Sequence, residues 1–155
     1  MSATEQQLWG GETAKAVENF PVSGERVPVG VVRWLAAIRR VFPDKVIAVT
    51  EFGAEANGRN ATTSPGGYAF QSHLLDLHLT TYAAIPNLAG ALVWNLRDFA
   101  VAPTFYGGSI KSQVPNIKLV RGINQKGLFD LRYKAKPAVR VVSGRFAAQA
   151  AAEGR

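Results

Sequence analysis

Glu51 is the residue whose sequence context most invites chemistry. It lies in KVIAVTEFGAEA, residues 45–56, where Val46, Ile47, Ala48 and Val49 form an unbroken apolar run that ends on Thr50, a carboxylate and, shortly after, Gly53. A continuous rather than alternating apolar run suits a strand buried on both faces of a parallel sheet. The carboxyl ends of such strands face ligands, because the loops there vary while the strands beneath hold them rigidly. Glu51 is therefore a candidate for chemistry; on residue type alone it could equally cap a loop or pair with an arginine. His73 and His78 stand five residues apart in a helical pattern, about 140° around the axis, so they form no metal pair. Both read as ordinary helix residues.

The elements that would position Glu51 follow from periodicity and punctuation. Residues 1–25 lack a period and carry Gly10-Gly11, Pro21 and Gly24, which reads as loop. Pro28 suits a first helical turn, and Val31, Leu35, Ile38 and Phe42 recur at helical spacing until Pro43-Asp44. A strand over 45–51 comes next, followed by a loop rich in Gly, Asn, Thr and Ser. Residues 68–85 are helical, with Phe70, Leu74, Leu77 and Thr81 on one face and Leu75, Leu79 and Tyr82 widening it; Pro86-Asn87 ends them. A second buried strand over 89–95 completes a right-handed βαβ unit. Residues 97–127 read as a long loop with little regular pattern, and loops of that size are usually functional. Residues 127–131 suggest a short extended piece, and Pro137 opens a last helix carrying Val139, Val142 and Phe146. Two parallel strands cannot cover themselves, so the sheet requires further strands.

Composition narrows the partners. The 155 residues are 47% hydrophobic and contain no cysteine, which fits a globular chain without disulfides or thiol-ligated metals. The net charge of +7 raises the question of an acidic partner. The basic residues are nevertheless spread, and Arg132, Lys134, Lys136, Arg140 and Arg145 are spaced like a solvated face. No recognisable nucleic-acid module accompanies them, so no nucleic-acid partner is expected. Glu5, Glu12, Lys15 and Glu18 break any apolar leader in the first twenty residues, and no stretch reaches the roughly eighteen apolar residues of a membrane span. The expected location is the cytoplasm.

Three motifs in order carry a family resemblance: Glu51 within VTEFGAEA, Trp94 within GALVWNLRDF, and NQKGLF from Asn124 to Phe129, followed by Arg132 and Lys136-Pro137. Together they resemble the last part of the catalytic domain of glycoside hydrolase family 2, which includes β-galactosidases and β-glucuronidases. The resemblance implies an α/β fold, a partial (β/α)8 TIM barrel with strands 7 and 8 and helices 6 to 8, incomplete as a lone chain. It divides the chain into an irregular segment 1–26, a barrel portion 27–146 and an Ala-rich tail 147–155.

By the same resemblance, Glu51 is the nucleophile of a retaining β-glycosidase, Trp94 a platform for the sugar ring, and Asn124 with Lys126 substrate contacts. A retaining enzyme needs an ionised carboxylate to attack the anomeric carbon and a second carboxyl about 5 Å away as acid and then base. The family's acid/base glutamate follows an asparagine, and no Asn-Glu pair precedes Glu51; Glu18-Asn19 has the reverse order. Glu55 is a weak substitute on the same loop as Glu51. An amide and an ammonium converging on a carboxylate would favour an acid sugar, since charge-assisted donors discriminate it from a neutral one, but many neutral-sugar members of the family have similar Asn-x-Lys-Gly segments and Lys126 could equally be solvated. Phe105 and Tyr106 either line an aglycone subsite or plug the loop, and Arg97 with Asp98 suits a salt-bridged turn. No metal site and no cofactor are expected. The partner implied is a carbohydrate substrate, with the alternative that the chain is a non-catalytic remnant completed by a second polypeptide carrying the rest of the barrel.

Overall fold

The computed structural model describes residues 29–85 and 88–154, so the expectations for residues 1–28 and for Pro86-Asn87 lie outside the described residues. Two compact units divide between Ile47 and Ala48. In the first, helix α1 spans Val29–Val41. It is extended by a bond from Phe42 N–H to Ile38 O (2.8 Å) and closed by one from Lys45 N–H to Phe42 O (3.1 Å).

Strand β1, Ile47–Phe52, leads into the second unit and is hydrogen-bonded to β2, Leu88–Val93. Between them runs helix α2, Tyr68–Ala83. A helical connection between neighbouring strands is the crossover that parallel pairing needs. Within residues 97–127, the stretch expected to lack regular pattern, the chain makes β3 (Phe99–Ala100), a short helix α3 (Ser109–Gln113) and β4 (Ile123–Asn124). β3 and β4 pair antiparallel, Phe99 opposite Asn124. These elements are too short for a period to show. Helix α4, Ala138–Ala152, begins after Pro137 and runs on through the Ala-rich residues, as alanine's high helix propensity favours.

Helices α2 and α4 pack together. Phe70, Gln71, Leu75, Leu79 and Tyr82 are buried on α2, and Ala138 and Val142 on α4. Leu74 and Leu77, expected at the centre of the α2 stripe, are half-buried, and Phe146 is exposed. Polar residues such as Gln71, His73, Asp76 and His78 are spread around this helix and not gathered on one face, so periodicity alone could not select the covered side. Thr62 supplies the start of α2: its carbonyl accepts Phe70 N–H (3.0 Å) and its hydroxyl accepts Ala69 N–H (3.3 Å). Those are first-turn amides that no earlier turn can satisfy. No helix among the described residues is long and apolar enough to cross a membrane.

Candidate active site

The ends of β1 and β2 are locked side by side. Trp94 N–H donates to Phe52 O at 2.7 Å, and a side chain on Gly53 would run into the Trp94 carbonyl. The glycine after Glu51 is thus required by close backbone approach. Glu51 is exposed at this rim, and Trp94, 37% exposed and joined to Asn95 by a cis peptide bond, packs edge-on against Phe99 with centroids 6.0 Å apart. Because Phe99 pairs with Asn124, the same contact carries Trp94 toward the 124–127 turn. Of the four residues singled out by sequence, Glu51 and Trp94 lie on adjoining strand ends and Asn124 and Lys126 on one turn beside Trp94.

That turn is fastened on every side. Gln125 N–H donates to the Glu55 carboxylate (3.0 Å) and Gly127 N–H to Asp98 Oδ1 (2.9 Å), while Lys126 N–H donates to Asn124 Oδ1 (3.1 Å). The Lys126 carbonyl accepts Asn95 N–H (3.3 Å), and Gln125 O accepts Ala56 N–H (3.0 Å). Gln71, reaching up from α2, donates Nε2 to the carbonyls of Ala54 (3.0 Å), Lys126 (3.2 Å) and Gly127 (3.2 Å). A side chain on Gly127 would strike the backbone of Arg97 and Asp98, so glycine is needed there too.

Lys136 is the buried cation among the described residues, 4% exposed, and not part of a solvated face. Its Nζ donates to Asp98 Oδ1 (2.7 Å), Gln125 O (2.9 Å) and Ala56 O (3.0 Å). Asp98 therefore pairs with Lys136 and not with Arg97, whose guanidinium lies 4.2 Å over the Tyr133 ring. Burial pushes the Asp98 carboxyl up and the Lys136 ammonium down, and their ion pair pulls each back toward its charged form. Burial likewise raises the Glu55 carboxyl, against the Gln125 amide bond and the Lys126 charge that lower it. Glu55 is 5% exposed and occupied with that amide, so it holds the turn rather than facing a ligand.

Sequence reasoning left Gln71 unmarked and placed Lys136 at the surface. The available signal was a glutamine at helical spacing from Leu75, Leu79 and Tyr82, and a lysine directly before the proline that opens α4. Tyr106 is flanked by Lys111 Nζ at 5.3 Å and the Arg121 guanidinium at 5.5 Å, which orders the long segment through cation–π contact. Beneath the turn, a cleft of about 260 Å³ is lined by Asn57, Tyr68, Asp98, Gln125, Asp130 and Arg132 among others, but by none of Glu51, Trp94, Asn124 or Lys126. Among the described residues no group of three or more His, Asp or Glu side chains could hold a metal ion.

Over most of its length the chain is similar to part of larger known proteins. The chain is a relative of the family 2 glycoside hydrolases, matched over part of their length. It is 31% identical over 115 residues to a β-glucuronidase of Streptococcus agalactiae serotype V, an alignment covering 72% of this chain and 17% of that protein. In fold it resembles a GH2 β-galacturonidase from Eisenbergiella tayi bound to galacturonate, with TM-score 0.61, 21% identity, and coverage of 83% of this chain and 22% of the other. The Faecalibacterium prausnitzii β-glucuronidase is similar, with TM-score 0.60, 22% identity, and 77% and 18% coverage. The chain thus spans about a fifth of the length of these relatives. No protein-family model matches it.

Proposed function

We propose that the chain supplies the nucleophile side of a retaining β-glycosidase site for uronic acid glycosides, within a partial (β/α)8 barrel. The observation that carries this is Glu51, exposed on a strand end that backbone contact fixes against the end bearing Trp94. A Glu51 carboxylate oxygen attacks the anomeric carbon as the glycosidic C–O bond breaks, and a carboxylic acid outside the described residues protonates the departing aglycone oxygen. That group, now a carboxylate, removes a proton from water, which attacks the same carbon and releases Glu51. Trp94 offers a ring face to the sugar. Asn124 and Lys126 present an amide and an ammonium to the sugar carboxylate; the Asn124 Oδ1 is held by Lys126 N–H, which leaves the Nδ2 donors for an anion.

The test is release of a chromophore from aryl β-glucuronide, β-galacturonide and β-galactoside by the chain mixed with a family 2 barrel lacking its last strands. Uronide turnover lost in Glu51→Gln supports the reading. Turnover that persists in that variant, or that favours the galactoside, contradicts it.

A second reading is favoured by the β1–β2 sheet, which among the described residues has two strands and leaves Leu92 64% exposed. In this reading the sheet is covered by a polypeptide bringing the other barrel strands, as open edges invite. Co-elution with a family 2 barrel lacking its last strands, without turnover by the pair, would select it over catalysis.

A further inference from the structure

The three acceptors of Lys136 come from three different loops: Ala56 from the loop after Glu51, Asp98 from the loop after Trp94, and Gln125 from between Asn124 and Lys126. An ammonium has three donors, and here all three are used. Their ends meet in a site where the cation and its carboxylate partner are 3% and 8% exposed in their side chains. Covering a hydrophobic core needs no such pair, and apolar residues of similar volume are often as stable. What the pair supplies is geometry, since each bond has a fixed length and direction.

We propose that Lys136, partnered by Asp98, is a positioning residue for uronate recognition: by drawing three strand-end loops onto one ammonium it sets where Asn124 and Lys126 stand relative to Glu51. This rests on reading Asn124 and Lys126 as the uronate contacts. Asp98 Oδ1 accepts both Lys136 Nζ and Gly127 N–H, so one carboxylate oxygen fixes the end of the turn while the ammonium fixes its middle. Without the ammonium, the Ala56 and Gln125 carbonyls lose a donor and the turn keeps Gln71 and Glu55 as anchors. The turn then remains in the fold but is held less tightly against the loops after Glu51 and Trp94, with the Gln125 carbonyl left to Ala56 N–H alone.

The experiment compares the unsubstituted chain with Lys136→Met and with the double variant Asp98→Asn/Lys136→Met, which removes both charges of the pair together should the single variant fail to fold. Amide hydrogen exchange is read at Gln125, Lys126 and Gly127 and, as reference, at Leu75 and Leu79 of α2. Affinities for D-glucuronate and D-glucose are read by NMR titration of the same samples. The expected result is exchange faster by about tenfold in the turn and by less than about twofold in α2. The glucuronate-to-glucose preference falls by about fivefold or more, with glucose affinity kept. Exchange that rises everywhere alike, or nowhere, overturns the positioning role, as does an undiminished glucuronate preference. Absence of any glucuronate preference in the unsubstituted chain overturns the uronate reading itself, whatever the exchange shows.

Discussion

Replacing Gln71 by leucine tests whether a polar group in the core holds the site together. The residue has no exposed surface, and its Nε2 serves the carbonyls of Ala54, Lys126 and Gly127. Leucine fills a similar volume but donates nothing. The Lys126 carbonyl retains Asn95 N–H, so two carbonyls, those of Ala54 and Gly127, lose the donor that Gln71 gives them. At about 1–3 kcal/mol for each buried acceptor, the loss is about 2–6 kcal/mol. Against it, Gln71 Oε1 has no hydrogen-bond partner among the described residues, and removing it returns about 1–3 kcal/mol. The net expectation is destabilisation by about 2 kcal/mol, read as a lower urea midpoint at unchanged slope in far-ultraviolet circular dichroism. A Gln71→Leu chain as stable as the original, or more so, would refute the claim that these carbonyls depend on that amide.

Gly53→Ala should cost about 1–3 kcal/mol, because its methyl meets the Trp94 carbonyl and backbone must shift to admit it; an unchanged thermal midpoint would contradict the contact. Burial lowers the His78 pKa below its ordinary 6.5, in a part-buried site where the ring stacks on Phe52 with centroids 5.5 Å apart and lies edge-on to Tyr82. A depressed folded pKa means that stability is fully present above about pH 6.5 and is lost as pH falls through the folded value. Urea midpoints should therefore fall from about pH 7.5 to about pH 5 more in the original chain than in His78→Gln, and equal falls would contradict this. Asp76 and Arg145 join α2 to α4 at 2.6 Å, but their side chains are 31% and 44% exposed. Arg145→Ala should cost under about 1 kcal/mol, and a larger loss in the same melt would show that the pair is not a screened surface bridge.

Where the sequence carried a period or a break, the fold was legible in it. The apolar run before Glu51 and the helix after Gly67 each announced an element within a residue or two of its bounds, and the proline before α4 marked that helix's start but not its run through the Ala-rich residues to Ala152. β3, α3 and β4 were not visible, since elements of two to five residues have no period and form here because the neighbouring backbone offers partners. The four residues singled out by type and motif, Glu51, Trp94, Asn124 and Lys126, were legible as candidates, and the fold places them on adjacent strand ends and one turn. Their supports were not. Lys136 reads as a surface lysine until its three acceptors, distant in sequence, come together around it, and Gln71 reads as an ordinary helix residue until the carbonyls above it are placed.

The central claim is that Glu51 is the nucleophile. Its most direct test is mass-spectrometric mapping after incubation with a 2-deoxy-2-fluoro-β-glucuronyl fluoride, whose fluoride departs without help from an acid. The chain is treated alone and mixed with a family 2 barrel lacking its last strands. The account predicts a covalent fluorosugar on the peptide containing Glu51 in at least the mixed sample, and none in Glu51→Gln. Label on another carboxylate, or none at Glu51 in either sample, would contradict it.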